Sequence, residues 1–480
     1  MEGLMKKLKL ILAVLLFTSI LFAQSGGSVG ISDAISSAMG NTYITNSTGV
    51  YSIGKNPANL MFSEDNHFEF ATVLPFPNFG VYAGADFMTF EEFNYYFGGE
   101  EVNGEVQGRY LTDEDKTNLK NLFEKGGITT IGASINYFSF MYKADKDIGA
   151  FGFSISDNFG FSFDFPSGII DLALEGNPVG SVYSFDGAHI RASYYRDYTL
   201  SYAREFTDLF NGTFKMFSAG LSMKIIQGFA YIETERMNSS IETGPNSELI
   251  TKGDVLIYSA FSPDFGVEYD FDSTNVGESN VSPFPTPAGS GFGVDLGFAA
   301  KLDDIWTFGL AITDIGSINF TERVAEYKSD KALILEDISN QEERDSLSEV
   351  FKGEGSLIDE VSSALPTALR MGASASIDKL VGQFPGTLLV ALDYNQGFNN
   401  KIRNSTTPRF SLGAEWRPFE SWPIRTGFSF GGIDGTAWSF GTGVDFGVLE
   451  MNISAFRFGN LLAANNASKF SVAFGSRWKF

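Results

Sequence analysis

The chain has 480 residues, Lys+Arg 34 against Asp+Glu 58, a formal charge of −24, two histidines and no cysteine. Without cysteine there is no disulfide scaffold, Cys-ligated zinc or iron–sulfur site, thiol nucleophile or lipoprotein anchor, and the acidic balance excludes a nucleic-acid binder that neutralises phosphates with a basic face. Charged residues are only 19% while Gly 52, Phe 48, Tyr 18 and Trp 5 make the chain rich in glycine and aromatics, which poses the question of where so much aromatic surface goes.

The chain opens with Lys6, Lys7 and Lys9, an apolar run from Leu10 to Phe22, then Ala23 before Gln24. This three-part pattern predicts a secretory signal peptide over 1–23. The run is shorter than the ~20 residues that a membrane-spanning helix needs. Cleavage after Ala23 removes three lysines and one glutamate, so the exported chain carries −26. Next comes a stretch of small residues, 24–65, containing the turn-forming pair Asn56-Pro57. It lacks apolar alternation and predicts a hatch or plug segment rather than a wall strand.

No later stretch reaches helical spanning length without charges or glycines. A closed barrel is then the remaining route into a membrane, because hydrocarbon offers the backbone no hydrogen-bond partner. Its signature, alternating segments of about 10 residues, recurs at 292–301, 306–313, 369–378, 388–394, 409–416, 436–446 and 469–480. In the last, Phe470, Val472, Phe474, Trp478 and Phe480 share one face, and Lys469, Ser471, Ala473, Gly475, Arg477 and Lys479 the other. A soluble sheet turns long polar side chains to water. Here the polar face is largely Gly, Ser and Ala with scattered Arg, Asp and Glu, which suits a crowded lumen. Trp306, Trp416, Trp438 and Trp478 fall near strand ends, as interfacial girdle residues do.

Strands starting near 79, 128, 147, 187, 214, 291, 305, 367, 386, 408, 423, 436, 449 and 468 predict an all-β fold. It is a transmembrane antiparallel β-barrel over 66–480 with about 14 strands, range roughly 12 to 16. Segments 66–74 and 253–261 are strand-like but unassigned. With the C-terminus in the periplasm, every inner connection is short, and the outer ones include 90–127, 158–186, 233–290 and 314–366. Three of these outer segments are acidic: 90–127 holds nine acids and four bases, 233–290 ten and two, 314–366 thirteen and five. Short helices are predicted in them. Thr112 caps a stripe of Leu119, Leu122 and Phe123, with Asp115 three residues on and a Gly126-Gly127 stop; 329–364 reads as one or two acidic amphipathic helices ending before Pro366.

The run Ala38-Met39-Gly40-Asn41 followed by Asn56-Pro57-Ala58 resembles the start of mature barrels in the long-chain fatty-acid transporter (FadL) superfamily, which includes the PorV barrel of the type IX secretion system. Pro366-Thr-Ala-Leu-Arg370-Met-Gly372-Ala, Leu412-Gly413-Ala-Glu415 and Pro423-Ile-Arg425-Thr-Gly427 resemble most an uncharacterised family within it. The resemblance implies a 14-stranded cylinder with an N-terminal hatch in its lumen, and carries Asn56, Pro57 and Ala58 over as hatch residues. Trp478 and the terminal Phe480 likewise resemble the signal read by the outer-membrane assembly machinery.

Around the predicted wall, Arg370, Arg409, Arg425 and Arg477 alternate with Asp295, Asp378, Asp393, Glu415 and Asp445 as lumen-facing polar residues. Mixed signs at close quarters favour salt bridges that hold a plug over a single-sign ring that selects ions. Gly427-Phe-Ser429-Phe-Gly431 matches the serine-hydrolase elbow literally, but that elbow needs a strand-to-helix turn and this segment continues an alternating strand. His67 and His189 read as interfacial or lumen residues, so no enzyme activity and no catalytic residue is expected. Asp264, Glu268, Asp270 and Asp272 are weak candidates for a cation site because their spacing is not that of an EF-hand; no metal and no cofactor is expected. The expected location is the outer membrane of a Gram-negative cell. The resemblance implies a passive transporter of hydrophobic small molecules gated by the hatch, or alternatively a PorV-like secretion-accessory barrel that holds a protein partner. Outer-membrane lipids, the assembly machinery and either a hydrophobic ligand or a secretion-system protein are the expected partners, and nucleic acid is not.

Overall fold

Amide groups in hydrocarbon have no water to bind, and this chain satisfies them by closing one antiparallel sheet on itself. The computed structural model describes residues 33–480 except 64–65, 103, 125, 146, 207–208, 211, 268, 270–281, 283, 337–340, 433–434 and 463–465. The predicted signal peptide lies outside the described residues. Fourteen wall strands follow in chain order: β1 in two halves, Phe68–Thr72 and Asn78–Ala85, then β2 Gly127–Lys143, β3 Ala150–Phe165, β4 His189–Glu205, β5 Met216–Met237, β6 Gly289–Lys301, β7 Trp306–Phe320, β8 Ala368–Ser376, β9 Thr387–Gly397, β10 Arg409–Phe419, β11 Trp422–Gly431, β12 Ala437–Asp445, β13 Leu449–Phe456 and β14 Lys469–Lys479. Each pairs with its sequence neighbour, and the ring closes where both halves of β1 pair with β14, in the registers Phe70↔Trp478 and Phe79↔Phe474. The 14-stranded barrel read from the alternation is the observed fold.

Both unassigned segments have definite places. Residues 66–74 supply the first half of β1, which the sequence hides because a break separates it from Asn78–Ala85. Residues 253–261 form Val255–Phe261, which pairs with the outer part of β5 and with Val324–Ser329 above the wall. That strand is strand-like in sequence because it also alternates, although it is no part of the wall.

Burial is inverted relative to a soluble protein. Leu200, Ile225, Leu412 and Phe428 are 59%, 64%, 51% and 46% exposed, whereas Arg409, Arg425 and Glu450 are 1%, 1% and 0% exposed. Apolar side chains on the outer face and charges within are what a bilayer requires of a barrel. Indole N–H groups near the rims are satisfied locally: Trp416 donates to the Pro385 carbonyl at 3.0 Å and Trp438 to the Thr426 hydroxyl at 2.9 Å.

All the long connections emerge at one end, which is the outer end by the convention of bacterial barrels. They pack on one another. Val182–Ser184, Ser240–Thr243, Leu249–Lys252 and Ala332–Leu335, drawn from three different connections, make a four-stranded sheet. The stretch 329–364, read as one or two helices, holds among its described residues the helix Gln341–Lys352 and, beyond that reading, three short strands. The last two of these, Glu354–Leu357 and Val361–Ala364, pair with Ala325–Lys328 and with the outer end of β7, so available edge partners override the acidic helical pattern. Among the described residues no helix is long and apolar enough to cross a membrane.

Residues 33–63 lie inside the ring. Asp33 caps the short helix Ala34–Ala38, accepting the Ser36 amide at 2.7 Å, and Asn56 caps the 3₁₀ turn Pro57–Phe62, accepting the Ala58 amide at 3.2 Å. The stretch is too short and too rich in small residues to form a hydrophobic core of its own, and the wall supplies the missing surface. A Cβ on Gly427 would stand 2.1 Å from the Met39 carbonyl carbon, and one on Gly220 2.5 Å from the Ala58 amide. Glycine at these positions lets the two backbones touch. The contacts reach β5, β6 and β7 near their inner ends, which places the segment in the inner half of the lumen.

Candidate functional site

The lumen offers the segment two anchors. At the first, Asp393 on β9 accepts the Tyr43 and Ile44 amides at 2.6 and 3.0 Å. The Tyr43 hydroxyl accepts from Arg370 on β8 at 2.6 Å and from Asn395 at 3.1 Å, and the Arg370 guanidinium stands 5.2 Å from the Tyr43 ring centre. Hydrogen bonds to an ionised acceptor are the strong class, so Asp393 holds two orphan amides that no secondary structure satisfies.

The second anchor is the end of a chain of charges. Glu415 on β10 receives Arg417 at 2.7 Å and also Arg425. Arg425 donates to Asn452 at 2.6 Å and reaches Glu450 at 3.5 Å. Glu450 takes Arg477 at 2.7 Å, and Arg477 in turn reaches Glu69 and the Thr48 carbonyl at 3.5 and 3.3 Å. Glu69 accepts the Val50 amide at 3.1 Å and the Ser63 hydroxyl at 2.7 Å. Burial and the Glu450 carboxylate push the Tyr51 phenol well above its usual range, so it stands as a neutral hydroxyl beneath Arg477. Buried pairs of this kind repay their own desolvation at best. Their effect is to fix which part of the segment meets which strand.

Asn56, Pro57 and Ala58 meet the wall on the opposite side. Asn56 donates to the Ile44 and Phe298 carbonyls at 3.2 and 3.1 Å, and the Ser218 hydroxyl donates to the Ala58 carbonyl at 3.0 Å. Lys55 and Asp33 form an ion contact within the segment, completed by the Ser36 and Ser47 hydroxyls. Burial and the Arg370 charge pull the Lys55 proton affinity down.

Above the segment lies a chamber of about 140 Å³, floored by Tyr51, Ile53 and Lys55 and walled by Asn136, Asn158, Asp197, Lys224, Asp314 and Arg403 among others. Its charges are partnered: Lys224 bridges Asp295 and Asp314 at 2.9 and 2.5 Å, and Asp197 accepts from Asn158 and Thr199, each at 2.8 Å. Arg196 binds Asp157 at 2.6 Å on the other face of β3 and β4, since both alternate with chamber-lining neighbours.

Of the lumen-facing residues read from sequence, Asp393 and Arg370 meet the first anchor, and Glu415, Arg425 and Arg477 belong to the network that ends at the second. Arg409, 1% exposed, is on the neighbouring strand of the ring. Asp445 sits at the inner rim, taking Lys479 at 2.7 Å and Arg417 at 3.3 Å. Asp378 corrects the reading. β8 ends at Ser376, and Asp378 lies in the inner turn, where its carboxylate accepts the Leu388 amide at 3.1 Å. A short helical turn that begins at Ile377 breaks the alternation just before it, and sequence alternation alone carried the strand too far.

Glu69, Glu450, Lys224 and Asp314 are missing from the sequence reading. Glu450 shares an alternating face with Asn452 and Ser454, which would have found it. Asp314 lies on a residue with φ +59 beside an irregularity in the β6–β7 register, where alternation fails. Ser429 is 0% exposed within an unbroken β11, and His189 Nδ1 lies 3.0 Å from the Thr234 carbonyl oxygen. Asp264 accepts the Thr286 amide at 2.6 Å; Glu268, Asp270 and Asp272 lie outside the described residues. Among the described residues no group of three or more His, Cys, Asp or Glu is placed to hold a metal ion.

A family described as a family of unknown function (DUF5723) matches residues 57–455. The chain belongs to this family. That match meets the expectation that its kin are an uncharacterised group. Among solved structures, the Pseudomonas putida toluene transporter TodX is similar at 11% identity, covering 95% of this chain and 100% of that one with a TM-score of 0.45. The CymD monoaromatic hydrocarbon channel is similar at 12%, covering 95% and 99% with a TM-score of 0.44, and the translocator domain of the Neisseria meningitidis autotransporter NalP at 8%, covering 88% and 91% with a TM-score of 0.28. No curated protein matches the chain. This DUF5723 member is a closed antiparallel β-barrel of fourteen wall strands with an apolar outer face.

Proposed function

We propose that this barrel is a passive outer-membrane transporter in which residues 24–65 act as the hatch and hydrophobic small molecules are the cargo. The observation that supports it most is the placement of residues 33–63. They fill the inner lumen without joining the wall as a strand, docked by polar contacts at Asp393 and the Glu69–Arg477 pair and by apolar packing of Leu60, Met61 and Phe62 on the inner face of the wall. A plug that is not hydrogen-bonded into the sheet as a strand is the element whose displacement would open a path while the ring stays closed.

The chamber narrows the cargo. An entirely apolar molecule there would strip Asn136, Asn158 and Asp197 of water and return nothing. The lining favours an amphiphile, with a polar head for the chamber and an apolar tail, over a plain hydrocarbon. The test is uptake into proteoliposomes of a long-chain fatty acid and of an alkylbenzene, against protein-free vesicles. Faster uptake of the fatty acid is expected; no uptake of either removes the transport reading, and uptake of the alkylbenzene alone removes the amphiphile clause.

A second reading, a partner-binding or secretion-accessory barrel, draws on the ordered acidic cap made by the outer connections. A protein that co-purifies stoichiometrically from native membranes, and is lost when the cap sheet is deleted, would favour it.

A further inference from the structure

The helix Phe90–Phe97 stands in the first outer connection and is rich in aromatics on two sides. Its start is fixed twice. Thr89 and Glu92 form a reciprocal cap, with the Thr89 amide donating to the Glu92 carboxylate at 2.7 Å, and the Phe90 amide donates to the Ala467 carbonyl at 2.8 Å, just before β14. One side of the helix is used: Tyr96 packs on the cluster of Met88, Leu119 and Phe123. Phe90, Phe93 and Phe97, spaced to share a stripe, are 37%, 54% and 52% exposed.

The direction of that stripe is set by a contact. The Phe90 ring lies 6.2 Å from that of Phe470, and the Phe93 and Phe97 rings lie 5.5 Å apart. Phe470 is on the outward, lipid-facing side of β14 at its outer end, alternating with the buried Lys469 and Ser471. The aromatic stripe therefore continues the apolar outer face of the wall. On helical spacing Glu91 and Tyr95 fall on the far side, and the Tyr95 hydroxyl bonds Asp115 at 2.9 Å. A neighbouring rim element behaves alike: Phe458 lies 5.5 and 5.0 Å from the rings of Trp438 and Phe440, on the outer face of β12.

From this continuity we infer that the Phe90–Phe97 helix is a membrane-surface anchor, lying along the outer leaflet with Phe90, Phe93 and Phe97 in its interfacial layer. Aromatic rings favour that layer, and a helix with one apolar face binds it in proportion to the apolar area it buries. The anchor holds the first outer connection against the bilayer, beside the seam where β1 and β14 close the ring.

The chain has no cysteine, so single-cysteine variants report cleanly. Phe93→Cys and Phe97→Cys, each carrying a nitroxide, are reconstituted in phosphatidylcholine–phosphatidylglycerol vesicles, and collisions with oxygen and with a water-soluble nickel chelate are measured. Phe474→Cys on the lipid face and Tyr110→Cys, whose native side chain is 84% exposed in the same connection, bracket the scale. At 93 and 97 an oxygen-to-nickel ratio severalfold above that at 110, and below that at 474, is expected. A ratio equal to that at 110 overturns the inference by placing the stripe in water. Shielding from both reagents overturns it by placing a protein surface there instead.

Discussion

Asp393 carries the clearest consequence at the scale of single residues. Its carboxylate accepts two amides of the N-terminal segment, and hydrogen bonds to a charged group are worth about 1.5–3 kcal/mol each. Asp393→Ala is expected to raise the population of a released segment at least tenfold, read as faster protease cleavage within 33–63 in an otherwise intact barrel. Asp393→Asn keeps an acceptor and should fall between. Gly427 makes the same point by shape. The Cβ of Gly427→Ala would meet the Met39 carbonyl carbon at 2.1 Å, a backbone atom that cannot swing aside, so this variant too should expose the segment. Unchanged protection in both would mean that the segment is held by something other than these contacts.

At the scale of elements, the strands obey the bilayer and the outer helices obey water. Phe474 faces lipid, 39% exposed, and its neighbour Ala473 faces the lumen, 0% exposed. Phe474→Arg should lose about 2–4 kcal/mol near the midplane and fail to assemble, while Ala473→Ser assembles; a heat-modifiable band on SDS gels distinguishes them, and equal behaviour would refute the register. In the Asp113–Phe123 helix the Thr112 hydroxyl and amide, with the Tyr95 hydroxyl, hold the Asp115 carboxyl below its usual range. A lowered carboxyl stabilises above its ordinary range and loses that contribution as pH falls through its lowered value. Protection of the Thr112 amide against exchange, relative to its intrinsic rate at each pH, should therefore fall below the ordinary carboxylate range. Thr112→Ala should raise exchange in the first turn at neutral pH by about fivefold, the size of a typical lost cap.

For the whole molecule, the ring of fourteen strands is closed by strand-to-strand pairing alone, and the N-terminal segment lies within it without adding a strand. Deleting residues 33–63 should leave a heat-modifiable barrel and raise its single-channel conductance in planar bilayers. Loss of the barrel itself would show that the segment is part of the folding core. The charge sorts at this scale as well: most of the acidic excess lies in three connections that all emerge at one end, so the protein presents a negative cap outside and an apolar belt below it.

Thirteen of the fourteen strand starts read from alternation fall within three residues of those observed, and the exception is β1, read from 79 but beginning at Phe68; a bilayer imposes period-two patterning on each strand separately and leaves it written locally. For the same reason, which face is lipid and which is lumen was legible, and so was the inward side of Arg425, Arg477 and Asp393. Partners were not. Glu69 meets Arg477, and Lys224 meets Asp314, across separations that only ring closure brings to one place. Asp378 lay beyond the end of its strand because a turn, not a pattern, decides where a strand stops. The sequence by itself determined a closed barrel, its polarity and its acidic outer face, all of which follow from one-dimensional periodicity and charge. Only the tertiary structure decided what the lumen contains, since the fit of Met39 against Gly427 and of Tyr43 against Asp393 depends on backbones meeting in space.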